Sequence, residues 1–138
     1  MQGARELTVL LARLVVGATF IAHGYQKLVV NGMDNVATGF GEMGIPLPAV
    51  AAWFTALVEV LGGAALIFGV LLPVAGVLLA AIMIGALVTA HLSAGFFSSD
   101  GGFEYVLVLA AASLALGFSG SRYTLPALFG RERQGAEA

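Results

Sequence analysis

Four long apolar runs, at about 7–30, 50–72, 74–92 and 103–118, alternate with short stretches rich in glycine, proline and polar residues. A helix crosses a bilayer with about 20 mostly apolar residues. The pattern predicts an all-α protein, a transmembrane antiparallel four-helix bundle filling residues 1–138 as one membrane domain. Residues 31–48 read differently: Asp34 predicts a cap, Val36, Phe40 and Met43 share one side of a short helix, and Gly44, Pro46 and Pro48 end it. We expect that helix to lie at the membrane surface or to fold back over the mouth of the bundle. Pro73 predicts a tight turn with proline in the first turn of the third span. Small residues recur every four positions in that span, at Ala81, Gly85 and Thr89 and at Gly76 and Ala80, and predict close helix approach. Ala111, Ala112 and Ala115 predict the same for the fourth span, and the tail 119–138 reads as polar and frayed.

Composition agrees with this class. Hydrophobic residues make up 59% of the chain and charged residues 10%, against about 25% charged in soluble domains, and the mean hydropathy is +0.98. A net charge of −2 gives no reason to expect a nucleic-acid partner. The chain has no cysteine, which excludes disulfides, thiolate metal sites and dithiol relays within it. The first run is too long for a signal peptide and Arg13 interrupts it, so it is expected to be a retained helix. Arg5, Arg122, Arg131 and Arg133 flank the two ends, while Asp34, Glu42 and Asp100 lie in the other loops. The positive-inside rule then places both termini in the cytoplasm. Tyr25, Trp53, Phe96, Phe97 and Tyr105 form the outer aromatic belt in this topology, and Tyr123 the inner one.

Ionisable residues within apolar runs are the candidate chemistry. In the first span Arg13, Gly17, Phe20, Gly24 and Lys27 fall in one helical stripe, with His23 at its edge. A cation near the bilayer centre costs roughly 2.5 to 3.5 kcal/mol on insertion scales, so this stripe should face the protein interior. Its expected partners are Glu59, roughly 13 Å inside the second span at 1.5 Å per residue, and Glu104 at the start of the fourth. His91 ends the third span, so His23, Lys27, Glu59, His91 and Glu104 should share the outer half of the bundle, with Arg13 deeper. Gly62 and Gly63, one turn beyond Glu59, either admit another helix or leave room for a ligand. The spacing of Gly39, Gly41 and Gly44 matches a dinucleotide fingerprint by chance, since no strand precedes it and prolines follow. No two of the histidines and carboxylates sit three or four apart on one helix, so a metal site is not expected.

The order of Arg13, Gly17, His23 and Gly24, Lys27, then Gly44 before Ile45 and Pro46, then Glu59 with Gly62, Gly63 and Gly69, and last Gly101 and Gly102 before Glu104 resembles the DoxX family of small bacterial membrane proteins. The resemblance implies a four-helix membrane protein. It also implies an accessory role in a membrane oxidoreductase system of thiol, thiosulfate or oxidative-stress metabolism, working with a protein partner or as a homo-oligomer. On this reading Glu59 and His23 act on protons, and Arg13, Lys27, His91 and Glu104 contact the ligand, a quinone headgroup or a small oxyanion. The cofactor itself stays open. A non-catalytic anchor for a partner complex is the alternative, and conduction along the polar stripe is a third reading. A structural account competes with all three. The cluster would then be a salt-bridge network, Lys27 would snorkel to the interface, His91 would cap its helix, and Glu104 would answer the helix dipole.

Overall fold

The computed structural model describes residues 1–136, with side chains as far as Gly130. Arg131 and Arg133, which enter the orientation argument, have side chains outside the described residues, as do the last two residues of the tail. Every regular element among the described residues is helical.

Helix α1, Gln2–Tyr25, continues into a wider turn with i to i+5 hydrogen bonding at Gln26–Asn31, giving an unbroken run of 30 residues. Gly32, at φ +79°, ends it and stands at the N-cap of α2, Met33–Glu42. Asp34 lies inside the first turn of α2 and its side chain caps nothing, which corrects the expected cap. The next helix, α3 (Pro48–Phe68), starts on proline and ends at Gly69, whose φ of +70° suits a residue without Cβ. Only Val70 and Leu71 then precede α4, Leu72–Ala86, which carries Pro73 in its first turn. A second wide turn at Leu87–His91 and a short 3-10 turn extend this run to Ala94. Helix α5 is Glu104–Gly117, and α6, Leu125–Ala136, replaces the frayed tail expected from the sequence.

Three of these runs, Gln2–Asn31, Pro48–Phe68 and Leu72–Ala94, are long and apolar enough to cross a membrane. The apolar α5 has 14 residues, about 21 Å at 1.5 Å per residue, and falls short of a hydrocarbon core of about 30 Å. Large apolar side chains such as Val15, Val29, Leu61, Val108 and Phe118 point away from the protein on all sides. That is the surface of a membrane protein, whose outward faces meet lipid chains.

Glycine contacts set the helix pairs. A Cβ added to Gly17 of α1 would sit 2.6 Å from the carbonyl oxygen of Gly63 on α3, and one added to Gly63 would sit equally close to Gly17. A Cβ on Gly24 would collide with Val60. Gly62 lies against Leu79 of α4, so the glycine pair beyond Glu59 admits neighbouring helices. Helix α4 grips α5 through Gly76, where a Cβ would come 2.5 Å from the Ser113 carbonyl oxygen, and through Gly117. The face of α5 turned inward is Val106, Leu109, Ala110, Ser113, Leu116 and Gly117. Ala111 and Ala115 are exposed, so the expected alanine face lies one step round the helix from the real one. Phe20, Leu66 and Leu79 are completely enclosed at the centre.

Candidate functional site

Between the helices lies a cavity of 580 Å³ whose walls come from α1, α3, α4 and α5, with Phe40, Met43 and Ile45 from α2 and the segment after it. Its lining is overwhelmingly apolar. The polar exceptions are His23, Lys27, Thr55, Glu59, Thr89, His91 and Tyr105.

Glu59 is 2% exposed, and both its carboxylate oxygens accept from the Lys27 ammonium, at 2.9 Å and 2.7 Å. A carboxylate so enclosed needs a partner of this kind, because an unpaired charge away from water is far costlier than a paired one. Both contacts go to the one carboxylate, so part of the donor capacity of the ammonium, which has three N–H groups, is left over. Lys27 stands in the wide turn Gln26–Asn31, and His91 closes the corresponding wide turn Leu87–His91. Such turns re-aim side chains relative to a regular helix and recur at functional sites. Nothing in the hydropathy pattern announces them.

The His91 Nδ1 lies 2.8 Å from the Gly101 carbonyl oxygen. A carbonyl can only accept, so Nδ1 carries the proton and, in the neutral ring, Nε2 keeps a free lone pair. His23 borders the same cavity, and the Tyr105 hydroxyl lies 3.5 Å from its Nε2, at the outer limit of a hydrogen bond. Tyr105 and the two threonines are members of this wall that sequence reasoning missed. In sequence Tyr105 reads as part of the aromatic belt, and only its proximity in depth to His23 signals more.

Two of the six candidate residues stand elsewhere. Arg13 is completely buried, and Nε, Nη1 and Nη2 donate to the carbonyl oxygens of Leu66, Tyr123 and Ile67 at 2.7, 2.9 and 3.1 Å. It closes the C-terminal end of α3 and ties the segment before α6 to it, satisfying carbonyls that a helix end leaves open. Glu104 accepts from the backbone N–H and the hydroxyl of Ser98, at 3.0 and 2.8 Å, and holds the loop ahead of α5. Neither residue lines the cavity, so neither is placed to contact a ligand there. A separate polar cluster pins the N-terminus to the loop ahead of α6: Glu6 accepts from Ser121 and the Arg122 backbone N–H, and Arg5 donates to the Ser119 carbonyl.

The DoxX profile matches residues 8–92. The chain is 37% identical over 123 residues, 89% of its own length and 87% of the relative's, to the protein named "Putative oxidoreductase CatD" in Bacillus subtilis. It is 34% identical over 99 residues to the "Uncharacterized membrane protein Rv3486" of Mycobacterium tuberculosis, an alignment covering 68% of this chain and 60% of that one. No solved structure matches significantly. The profile takes in more than half of the chain and includes His23, Lys27, Glu59 and His91, so this helical membrane protein with an ion pair on its cavity wall belongs to the DoxX family.

Proposed function

We propose that this chain is an accessory membrane subunit of an oxidoreductase system whose cavity receives the headgroup of a lipid quinone. It sits in the bacterial inner membrane as an antiparallel four-helix bundle, both ends cytoplasmic, with α2 at the outer interface. The observation that carries this reading is the ion pair of Lys27 and Glu59 on the wall of an otherwise apolar chamber. At 580 Å³ the chamber falls within the range of small-molecule sites, about 300 to 1,000 Å³. The name of the Bacillus subtilis relative points the same way.

Charge favours a quinone over a small oxyanion. An oxyanion needs a surplus cation, whereas the Lys27 charge is already matched by Glu59, and Arg13 is engaged by three carbonyls elsewhere. A neutral ring with carbonyl oxygens suits the site better. An N–H of Lys27 turned away from Glu59 serves a ligand carbonyl, and Nε2 of His91 accepts from a ligand hydroxyl. Reduction of a quinone to a quinol takes two electrons and two protons. The partner protein's reductant supplies the electrons in this scheme, and Glu59 with its neighbours His23 and His91 passes the protons. Quinone content in organic extracts of the purified protein tests this. We expect quinone in the wild-type extract and at least tenfold less after Glu59→Gln. Extracts free of quinone from both, with the variant as stable as the wild type, would refute the reading.

A second reading is an anchor without chemistry, favoured by the exposed small residues Ala111 and Ala115 on the outer face of α5, which would let a partner helix approach closely. Quinone content after purification in mild detergent separates the two: either reading brings a stoichiometric partner, but an anchor carries no quinone.

A further inference from the structure

The wall of the chamber contributed by α4 is open to the outside. Leu78, Ala81, Gly85 and Thr89 line the chamber and are nevertheless exposed. On α3 the same holds for Phe54, which is 54% exposed. Residues that both border a cavity and are exposed mark its opening. From Leu78 to Thr89 the opening runs about 16 Å along the helix at 1.5 Å per residue. This stretch lies inside the apolar run Leu72–Ala94, so the opening faces acyl chains.

The small residues of this stripe do not serve helix packing. A Cβ built on Gly85 meets nothing within 4 Å, whereas one built on Gly76, nine positions earlier on the same helix, runs into the backbone of α5. The spacing of Ala81, Gly85 and Thr89 therefore keeps a slot clear. The slot is also without an idle donor on this side, since the Thr89 hydroxyl donates to the Gly85 carbonyl at 2.8 Å. An apolar slot leading to an ion pair fits a ligand of two parts, an oxygen-bearing head and a hydrocarbon tail.

We infer that the chamber is loaded sideways from the bilayer through the slot between α3 and α4, and that its occupant keeps a hydrocarbon tail in the slot along Leu78, Ala81 and Gly85 while its ring meets Lys27 and Glu59. The inference rests on the quinone reading and adds to it the tail and the route. A phospholipid would fill the slot equally well, but its phosphate would meet a lysine whose charge Glu59 already balances.

The test compares two probes on the purified full-length chain in detergent micelles: 2-methyl-1,4-naphthoquinone, and the same ring carrying an isoprenoid tail. Binding is read as ring absorbance co-eluting with the protein across a series of loads. We expect the wild type to hold the tailed ring at least tenfold more tightly than the bare one. Gly85→Trp should bring the tailed ring down to the level of the bare ring, while bare-ring binding changes less than twofold. Ala81→Phe serves as the second blocking variant, and Val108→Phe, on the outer face of α5 and off the chamber wall, should leave both affinities unchanged. Equal wild-type affinity for the two probes, or equal loss of both on blocking the slot, overturns the sideways route and leaves the quinone reading standing. Uptake of neither probe by the wild type overturns the quinone reading, and the route falls with it.

Discussion

Replacing Lys27 by methionine keeps much of the bulk of its stem and removes only the ammonium, leaving the Glu59 carboxylate with 2% exposure and no cation. Charges at the observed separation of under 3 Å attract by roughly 6 kcal/mol at an effective dielectric near 20, before the cost of desolvating them is counted. Removing one member of a buried pair typically costs about 3 to 5 kcal/mol. The chain also has an escape that sets a ceiling, because Glu59 in the variant can take up a proton. For a carboxyl of ordinary pKa near 4.3, neutralisation at pH 7 costs about 3.7 kcal/mol, at 1.36 kcal/mol per unit. We therefore expect Lys27→Met to lose about 3 to 4 kcal/mol at pH 7, measured by reversible unfolding in mixed detergent and SDS micelles. In the variant the folded form binds the extra proton, so its deficit should shrink by about 1.4 kcal/mol for each unit the pH falls, to about 1 kcal/mol at pH 5. The double variant Lys27→Met with Glu59→Gln should recover most of the loss at pH 7. A loss below 1 kcal/mol, a deficit indifferent to pH, or a double variant worse than the single one would refute the assignment of a buried charge pair.

Gly63→Leu should destabilise by about 1 to 3 kcal/mol or more, since even its Cβ would meet the Gly17 carbonyl oxygen at 2.6 Å; Gly85→Ala should stay within about 0.5 kcal/mol in the same unfolding assay. Arg13→Lys supplies a charge without the planar fork that reaches three carbonyls and is expected to cost about 2 to 4 kcal/mol in that assay. Glu104→Ala should lower stability in the same assay by less than Arg13→Lys does, by releasing Ser98. Its quinone content should nevertheless match the wild type within twofold, because residue 104 is not on the chamber wall.

What the sequence could disclose follows from the kind of physics involved. Apolar runs give helices, and a lone cation inside one such run demands a carboxylate from another, which is how Lys27 and Glu59 could be brought together on paper. Arg13 obeyed the same demand by another route. Its partners are the backbone oxygens of Leu66, Ile67 and Tyr123, which have no signature in the residue string, because every residue owns a carbonyl and only the fold decides which are unmatched. The alanines of α5 show a different limit. A shift of one position turns a side chain by about 100° on a helix, and the choice between Ala110 and Ala111 as the inward residue depended on Gly76 meeting Gly117. The stripe of Ala81, Gly85 and Thr89 looked identical in spacing to a packing face, and only the empty space beyond Gly85 separates a slot from a contact.

The grip of α4 on α5 at Gly76 carries a mechanical corollary. Helix α4 is clamped hard near its beginning, while at Gly85 a methyl group would still find free space. Fifteen residues on, about 22 Å away at 1.5 Å per residue, the same run is tied a second time, by the His91 ring against the Gly101 carbonyl oxygen. One wall of the chamber thus takes its position partly from Gly76, a residue that does not itself line the chamber.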